Sequence, residues 1–524
     1  MPNMDALVIL IPLMPLLAAI ILGLGHFFGA IKGEASENFT SLTANWAISM
    51  SCLLSLVLLG ADWMHLNKGT ITLGRWLESD DLNIVLNFIT TGFNIRLAVL
   101  FAVLLMIIMR FSINYMHREP GFHRFFFILS LFSSAMLLLV LSGNAVSTFV
   151  GWEIAGLCSY LLIAYAYDRP TAVANATRVF VTNRIGDAGF VLGIGLSYVW
   201  VGNVNWSDLN AAVSEITKGE ATAIAFCFTV AAMAKSAQLP FSPWLGRAME
   251  GPTPSSAAFY GAVMVHAGVF LIISLEPLLS DIVLIRALLI FTGLTTAVYS
   301  YFSGLTQCDV KSSLAFAISG QLGLMFLECG LGFWQFAAWH LCAHAVVQCY
   351  LMLTAPSLMF NVRDNPVAPV SARLANHRWL FVASIQRFWV EQITDWALVK
   401  PVRYLAHDLS YFDDNIVDRL MGMPAPALSE ASSLALLEER FLGARMDDGN
   451  TGSFANSTGL IGALGAWLAG ILHWFEDRLV MQGIGKDVIH IGREVGHLAN
   501  KFEIAVLKPR YLMLLVFITL LMAF

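Results

Sequence analysis

The chain has 524 residues, of which 57% are hydrophobic and only 13% charged, with a mean hydropathy of +0.70. Soluble domains run near 25% charged, so a string of soluble domains, a secreted disulfide scaffold and a nucleic-acid-binding protein are all excluded. The net charge of −6 (30 basic against 36 acidic residues) identifies no partner in such a chain.

Apolar runs long enough to cross a bilayer as helices recur from Leu7 to Ser357. The predicted spans are 6–28, 43–64, 93–113, 124–142, 144–166, 178–201, 221–239, 253–275, 281–304, 312–330 and 334–357. The first has no basic region before it and no small-residue cleavage site, so it reads as a retained span. Between the second and third spans, Thr70 to Thr91 alternates polar and apolar residues and predicts a short hairpin outside the lipid. The seven cysteines form no CxxC pair and read as small buried hydrophobes, not as iron–sulfur ligands.

Lys32, Arg110, Arg118, Arg124, Arg169, Arg178, Arg247 and Lys311 fall on one side of the predicted spans. That side is expected to be cytoplasmic, with the N-terminus outside, in a cytoplasmic (inner) membrane. After Ser357 the pattern changes. Ser384 to Met421 repeats apolar residues at helical spacing between charges, Gly422 to Asn456 reads as a linker, and Leu460 to Leu479 and Val488 to Val506 are again amphipathic. Tyr511 to Phe524 reads as a short anchor that barely reaches across a bilayer. The expected architecture is therefore all-α, with 11–12 membrane helices and an amphipathic cytoplasmic tail. Its parts are 1–92, a core at 93–360, the tail at 361–508 and an anchor at 509–524.

Ionisable residues inside spans cost on the order of 2.5–3.5 kcal/mol each at mid-bilayer, which makes them functional candidates. They are Glu153 in the fifth span, Arg178, Arg184 and Asp187 in the sixth, Lys235 at the end of the seventh and His266 in the eighth. Lys311 opens the tenth, and His340 and His344 lie one turn apart in the eleventh. Arg178, Arg184 and Lys311 stand near interfaces, where snorkelling explains them as well as function does. His266 reads as a packing histidine ahead of a proton carrier, and His340 with His344 lack a third ligand for a metal. Glu153 and Lys235 lie well inside the slab and call for a partner or a hydrated path. Lys235 is followed by Pro240, Pro243, Pro252 and Pro254 around Glu250-Gly251, so the seventh span breaks beside it. Broken helices of this kind expose backbone to a wet cavity and mark ion sites.

At these residues the chain resembles the proton-conducting, antiporter-like subunits of respiratory complex I (subunit L), of Mrp antiporters and of the two-component DAB inorganic-carbon transporters. The matching text is Phe149-Val150-Gly151-Trp152-Glu153, Gly156 to Leu162, Asn183-Arg184-Ile185-Gly186-Asp187, Lys235-Ser236-Ala237-Gln238 and Glu250 to Pro254. Asp309-Val310-Lys311 and His340 with His344 complete it. The resemblance implies an antiporter-like fold and a proton path through Glu153, Lys235, Lys311, His340 and His344, with the acid of the fifth span paired to the lysine of the seventh. Arg178, Arg184, Asp187, Glu250, His266 and Gln348 are expected to support that path. Three departures stand out: Gln348 replaces a lysine of the family, Tyr260 replaces a histidine, and no second broken helix follows the eleventh span. Leu327 to Phe333 looks closer to the membrane subunit of the DAB system. That likeness implies coupling of the ion gradient to inorganic-carbon uptake. The partner would be a cytoplasmic, zinc-containing, carbonic-anhydrase-like (DabA-like) peripheral subunit docked on the tail. The alternative is a proton-pumping subunit of complex I or Mrp type. In either case this chain is expected to hold no metal or cofactor of its own. A structural anchor that has lost conduction stays open, whereas a redox enzyme lacks any cofactor motif.

Overall fold

The computed structural model describes residues 4–67, 69–79, 82–212, 215–362, 370 and 375–412. The expectations for the linker, the two later amphipathic segments and the terminal anchor lie outside these residues. Among the described residues, ten helical stretches are long and apolar enough to cross a membrane, one of them Thr253–Ser274. The predicted seventh span is a further helix, α8 (Lys218–Lys235), which carries three charged residues and stops at the lysine.

The helices before it are α1 (Leu10–Phe27), α2 (Glu37–Trp63), α3 (Gly92–Tyr115), α4 (Phe122–Leu141), α5 (Ala145–Ile163) and α6 (Pro170–Val201), with the short α7 (Trp206–Ala211). The hairpin forms as expected, β1 (Thr70–Ser79) antiparallel to β2 (Leu82–Ile89), with irregular register between Thr72 and Gly74 and between Arg75 and Leu77. It is fastened to the turn that starts α5. Gly143 N donates to Asn87 O (2.9 Å), and Asn144 Nδ2 donates to Asn87 Oδ1 (2.7 Å). Asn144 also caps α5, accepting from Ser147 N at 2.7 Å. The hairpin and the helix that carries Glu153 thus share one anchor.

Beyond α8 the chain is irregular. It turns through Ala237 at φ 50° and a cis Leu239–Pro240 bond into α9 (Pro243–Arg247). The eighth span was expected to be one helix over 253–275. The structure corrects this: it is α10 (Thr253–Ser256), a π-helical turn (Ala257–Ala262), a 3₁₀ turn (Met264–His266) and α11 (Ala267–Ser274). Two prolines open it, and Val263 leaves helical geometry at φ −125°, ψ −66°. Wide turns of this type collect at functional sites. After α12 (Glu276–Leu279) come α13 (Val283–Gly304), α14 (Val310–Leu331) and α15 (Trp334–Val362).

Helices in lipid approach closely only through small residues, because burying apolar surface against apolar lipid supplies little drive. Gly293 of α13 faces Gly323 of α14 so tightly that a Cβ on Gly323 would lie 2.7 Å from Gly293 O. Between α6 and α8, Gly186 packs on Ala234, and a Cβ on Gly189 would stand 3.0 Å from Cys227 O. This second contact sets Lys235 against α6.

The tail begins with α16 (Arg378–Ile385) and α17 (Val390–Thr394), joined through positive-φ residues Arg387, Phe388 and Trp389. The helix α18 (Lys400–Phe412) belongs almost wholly to a second compact unit. Of the stretch from Ser384 to Met421, expected to be amphipathic, residues 413–421 lie outside the described ones. Ile393 and Trp396 are exposed, while Thr394 is buried and donates to Pro240 O at 3.0 Å. Replacing Gly323 by Val forces side-chain atoms into the facing backbone, an overpacking that costs about 1–3 kcal/mol or more. Thermal unfolding of the detergent-purified protein is expected to show a lower midpoint, and an unchanged midpoint would refute the close crossing.

Candidate functional site

The centre of the core holds two acids and two bases. Arg184 on α6 ion-pairs with Glu153 on α5 through Nη1, and its Nη2 lies 2.9 Å from Asp187 Oδ2, three residues on. Asp187 Oδ1 accepts from Trp152 Nε1 at 2.6 Å. The Lys235 side chain is 1% exposed. Its Nζ donates to Trp152 O at 3.0 Å and stands 4.9 Å from the Trp152 ring centroid. Among the described residues no carboxylate lies within 4.0 Å of Lys235, so the expected direct pairing of Glu153 with Lys235 is corrected: Arg184 holds the glutamate. The physical reason is reach. Arg184 presents a planar fork that spans two carboxylates at once, whereas the lysine ends its helix against the α5 backbone.

Gly156 makes this arrangement possible. A Cβ there would sit 3.0 Å from Arg184 Nη2 and 3.2 Å from Lys235 Nζ, so both cations converge on a position without a side chain. An ammonium has three donors and Lys235 uses one on protein. Lys235 also closes α8, where the helix carbonyls favour positive charge. The capping box of Thr217 and Glu220 fixes the other end.

A second group lies beyond the break. Ser236 Oγ donates to Val265 O at 2.6 Å, which brings the residue after Lys235 beside His266. His266 Nε2 bonds His344 Nδ1 at 2.8 Å. The His344 ring lies 6.2 Å from that of His340, edge to face. His340 Nδ1 meets Glu328 Oε1 at 2.9 Å, and its Nε2 meets Gln321 Oε1 at 3.0 Å. His266, read from sequence as a packing residue first, is thus one of three linked histidines. Tyr260 OH, Gln348 Oε1, Ser256 Oγ, Gln238 Oε1 and His344 Nε2 are buried polar atoms with no protein partner. Buried groups of this kind are ordinarily satisfied by water, which suits a hydrated seam lined by the two positions where the sequence departs from the family.

The remaining predicted residues lie away from this line. Arg178 binds Glu391 (2.7 Å) and Asp395 of the tail, and Arg247 binds Glu391 at 2.5 Å. The snorkelling and proton-path readings of Arg178 both give way to a clamp that docks the tail on the broken helix. Burial pushes the Asp395 carboxyl up despite Arg178 beside it. Glu250 pairs with Arg169 at 3.3 Å. Asp309 caps α14 through Ser312 N (2.8 Å), so the Asp309-Val310-Lys311 motif begins a helix; Lys311 sits half-buried in its first turn. No described hydrogen bond or ion pair joins Lys311 to Lys235. Sequence reasoning missed Gln321, Glu328, Glu391 and Asp395 as partners. Glu328 had a signal, being a carboxylate inside an apolar run. No group of three or more His, Cys, Asp or Glu among the described residues is placed to hold a metal.

Comparison with known proteins agrees with this geometry. Residues 142–380 match the family described as NADH:quinone oxidoreductase/Mrp antiporter, and residues 76–126 match the N-terminus of complex I chain 5. The matched region is thus similar to a proton-antiporter-type membrane domain. The chain is 34% identical over 353 residues to NADH-ubiquinone oxidoreductase chain 5 of Hypocrea jecorina, covering 67% of this chain and 50% of that one. It is 34% identical over 365 residues to the chloroplastic NAD(P)H-quinone oxidoreductase subunit 5 of Spinacia oleracea, covering 67% and 48%. The chain spans about half the length of these relatives. Among solved structures, the Mrp complex of Dietzia sp. DQ12-45-1b aligns with TM-score 0.57 and 20% identity, covering 97% of this chain and 62% of that one. An archaeal membrane-bound sulfane sulfur reductase aligns with TM-score 0.57 and 18% identity, covering 67% and 56%. At these identities the structures establish the fold.

Asp187 tests the packing of the charge cluster. Asp187→Ala orphans the Trp152 N–H and half of the Arg184 fork, for an expected loss of about 2–4 kcal/mol. Asp187→Asn keeps an acceptor for Trp152 and should cost less. Equal unfolding midpoints for the two variants would contradict the bond.

Proposed function

We propose that the chain is a proton-translocating membrane subunit of complex I or Mrp type, coupling an ion gradient to a larger assembly. The observation that carries this reading is Lys235, a fully buried lysine at a helix break. It stands beside a carboxylate–guanidinium cluster on one side and leads to linked histidines on the other. Glu153, Asp187 and Arg184 sum to one negative charge. A proton on Lys235 neutralises the group, and its release restores the charge. A site of that kind trades protons with water in the seam without leaving an isolated charge in low dielectric. His266, His344 and His340 then extend the path, each ring able to accept a proton on one nitrogen while releasing one from the other. The side bearing Arg169, Arg178, Arg247 and Lys311 would face the cytoplasm.

The relatives named above support complex I-type or Mrp-type assembly over inorganic-carbon uptake, because respiratory and antiporter complexes are what their names describe. The carbon reading, with its zinc-containing DabA-like partner, rests on the likeness of Leu327 to Phe333 alone. The docking of residues 378–399 on this chain's own broken helix also leaves fewer tail residues to receive such a partner. Co-purification decides the partner: sister membrane subunits support the main reading, and a zinc-binding peripheral subunit supports the other.

Conduction is tested in proteoliposomes of the full chain, with a potassium diffusion potential and an internal pH dye. Glu153→Gln and Lys235→Ala are each expected to lower proton flux by about a hundredfold or more, with unfolding midpoints that still report a folded protein. Wild-type flux in both variants would refute the path.

A further inference from the structure

The histidine line ends on a carboxylate. Glu328 stands on α14 three residues before its end at Leu331, whereas Lys311 stands in the first turn, so the two residues mark opposite faces of the membrane. The far end of the line is more exposed than its start. His266 is 0% exposed and His344 6%, while the side chains of His340 and Glu328 are 18% and 14% exposed. Building on the proton path above, we propose that Glu328 and His340 form the terminal exchange dyad, through which the buried axis reaches water at the face opposite Lys311.

The hydrogen bonds show how the dyad works. His340 meets both Glu328 oxygens through Nδ1, at 2.9 and 3.1 Å, and the Gln321 carbonyl oxygen through Nε2, at 3.0 Å. A carbonyl oxygen only accepts, so Nε2 carries a proton in this arrangement. Nδ1 then has two balanced choices. It holds its own proton, giving an imidazolium against a carboxylate, or it accepts from a protonated Glu328 opposite a neutral ring. Moving one proton between Nδ1 and the carboxylate interconverts the two states without changing the pair's total charge. The proton leaves to water from Glu328 Oε, which leaves a lone pair on Nδ1; a proton taken up there from the buried axis returns the pair to its starting state. Net charge stays low at every step, as the hydrocarbon slab requires.

Other charged groups at this end are Arg286 of α13 and Glu276 of α12. Arg286 Nε donates to Gly330 O at 3.0 Å, and burial raises the Glu276 carboxyl. His266 and His344 face the dyad from inside. A groove of about 560 Å³ between α13 and α14 has Gln321 on its wall and runs toward the Lys311 end. Sidedness is therefore the property that the experiment has to read.

The test uses proteoliposomes of the full chain, with orientation read by impermeant labelling of exposed Cys308 and pH changed on one face at a time. Glu328→Gln is expected to lower flux at least about tenfold. Glu328→Asp keeps a carboxylate at this position and should retain more flux than Glu328→Gln, still responding to pH on the face opposite Lys311. Where the glutamine variant does not fold, the aspartate variant carries the test. A folded Glu328→Asp with no flux response to pH on the face opposite Lys311 overturns the proposal. So does wild-type flux in Glu328→Gln alongside a dead Lys235→Ala, which leaves the path itself standing. Response only to pH on the Lys311 face overturns it as well. Wild-type flux in both Lys235→Ala and Glu328→Gln would bring down the proton path first.

Discussion

A charge placed in hydrocarbon has to be matched within a few ångströms, and most of this structure follows from how that requirement is met around Arg184. One guanidinium serves Glu153 on a neighbouring helix and Asp187 on its own. Asp187 in turn fixes the Trp152 indole, and the Trp152 carbonyl receives Lys235. Each link needs helices closer than ordinary side chains permit. Gly156 leaves room for both cations, and Gly186 lets α8 lie against α6. The glycines and the charges form a single solution, because neither is stable in lipid without the other.

The lysine owes its place to the chain breaking immediately after it. A continuous helix would satisfy its own backbone and leave a dry interface. The irregular stretch from Ser236 to His266 instead turns polar groups inward, and several of them have no protein partner. The clamp of Arg178 and Arg247 on Glu391 holds the first part of the tail over this break. These two arginines lie outside the charge cluster and the histidines, and they tie the tail to the element whose geometry matters most.

Much of the membrane body was legible in the linear text. Span length is set by bilayer thickness, so apolar runs located nearly every helix, and the alternation in Leu82 to Phe88 marked the hairpin. Errors came where spacing underdetermines geometry. The eighth span reads as one membrane helix, yet its prolines and close packing against α15 divide it into four short pieces. Sequence placed α6 from 178, but it begins at Pro170, because a proline favours the first turn and polar residues tolerate the interface. Arg178 therefore stands two turns inside the helix, within reach of the tail.

At the site, residue type identified the participants and tertiary contact assigned the pairs. An acid, a lysine beside proline and two histidines one turn apart announce themselves, since each is too costly in lipid to be incidental. Which acid meets which base depends on rotations and crossing distances of helices far apart in the chain. Spacing therefore could not show that Arg184 displaces Lys235 from Glu153, that His266 lies against His344, or that Glu328 receives His340. The amino-acid order alone determined that this is a helical membrane protein with ionisable groups within its spans, because hydrocarbon thickness and charge solvation act on local segments. Only the fold decided how those groups are joined, because pairing energies act across space and depend on which small residues let two helices touch.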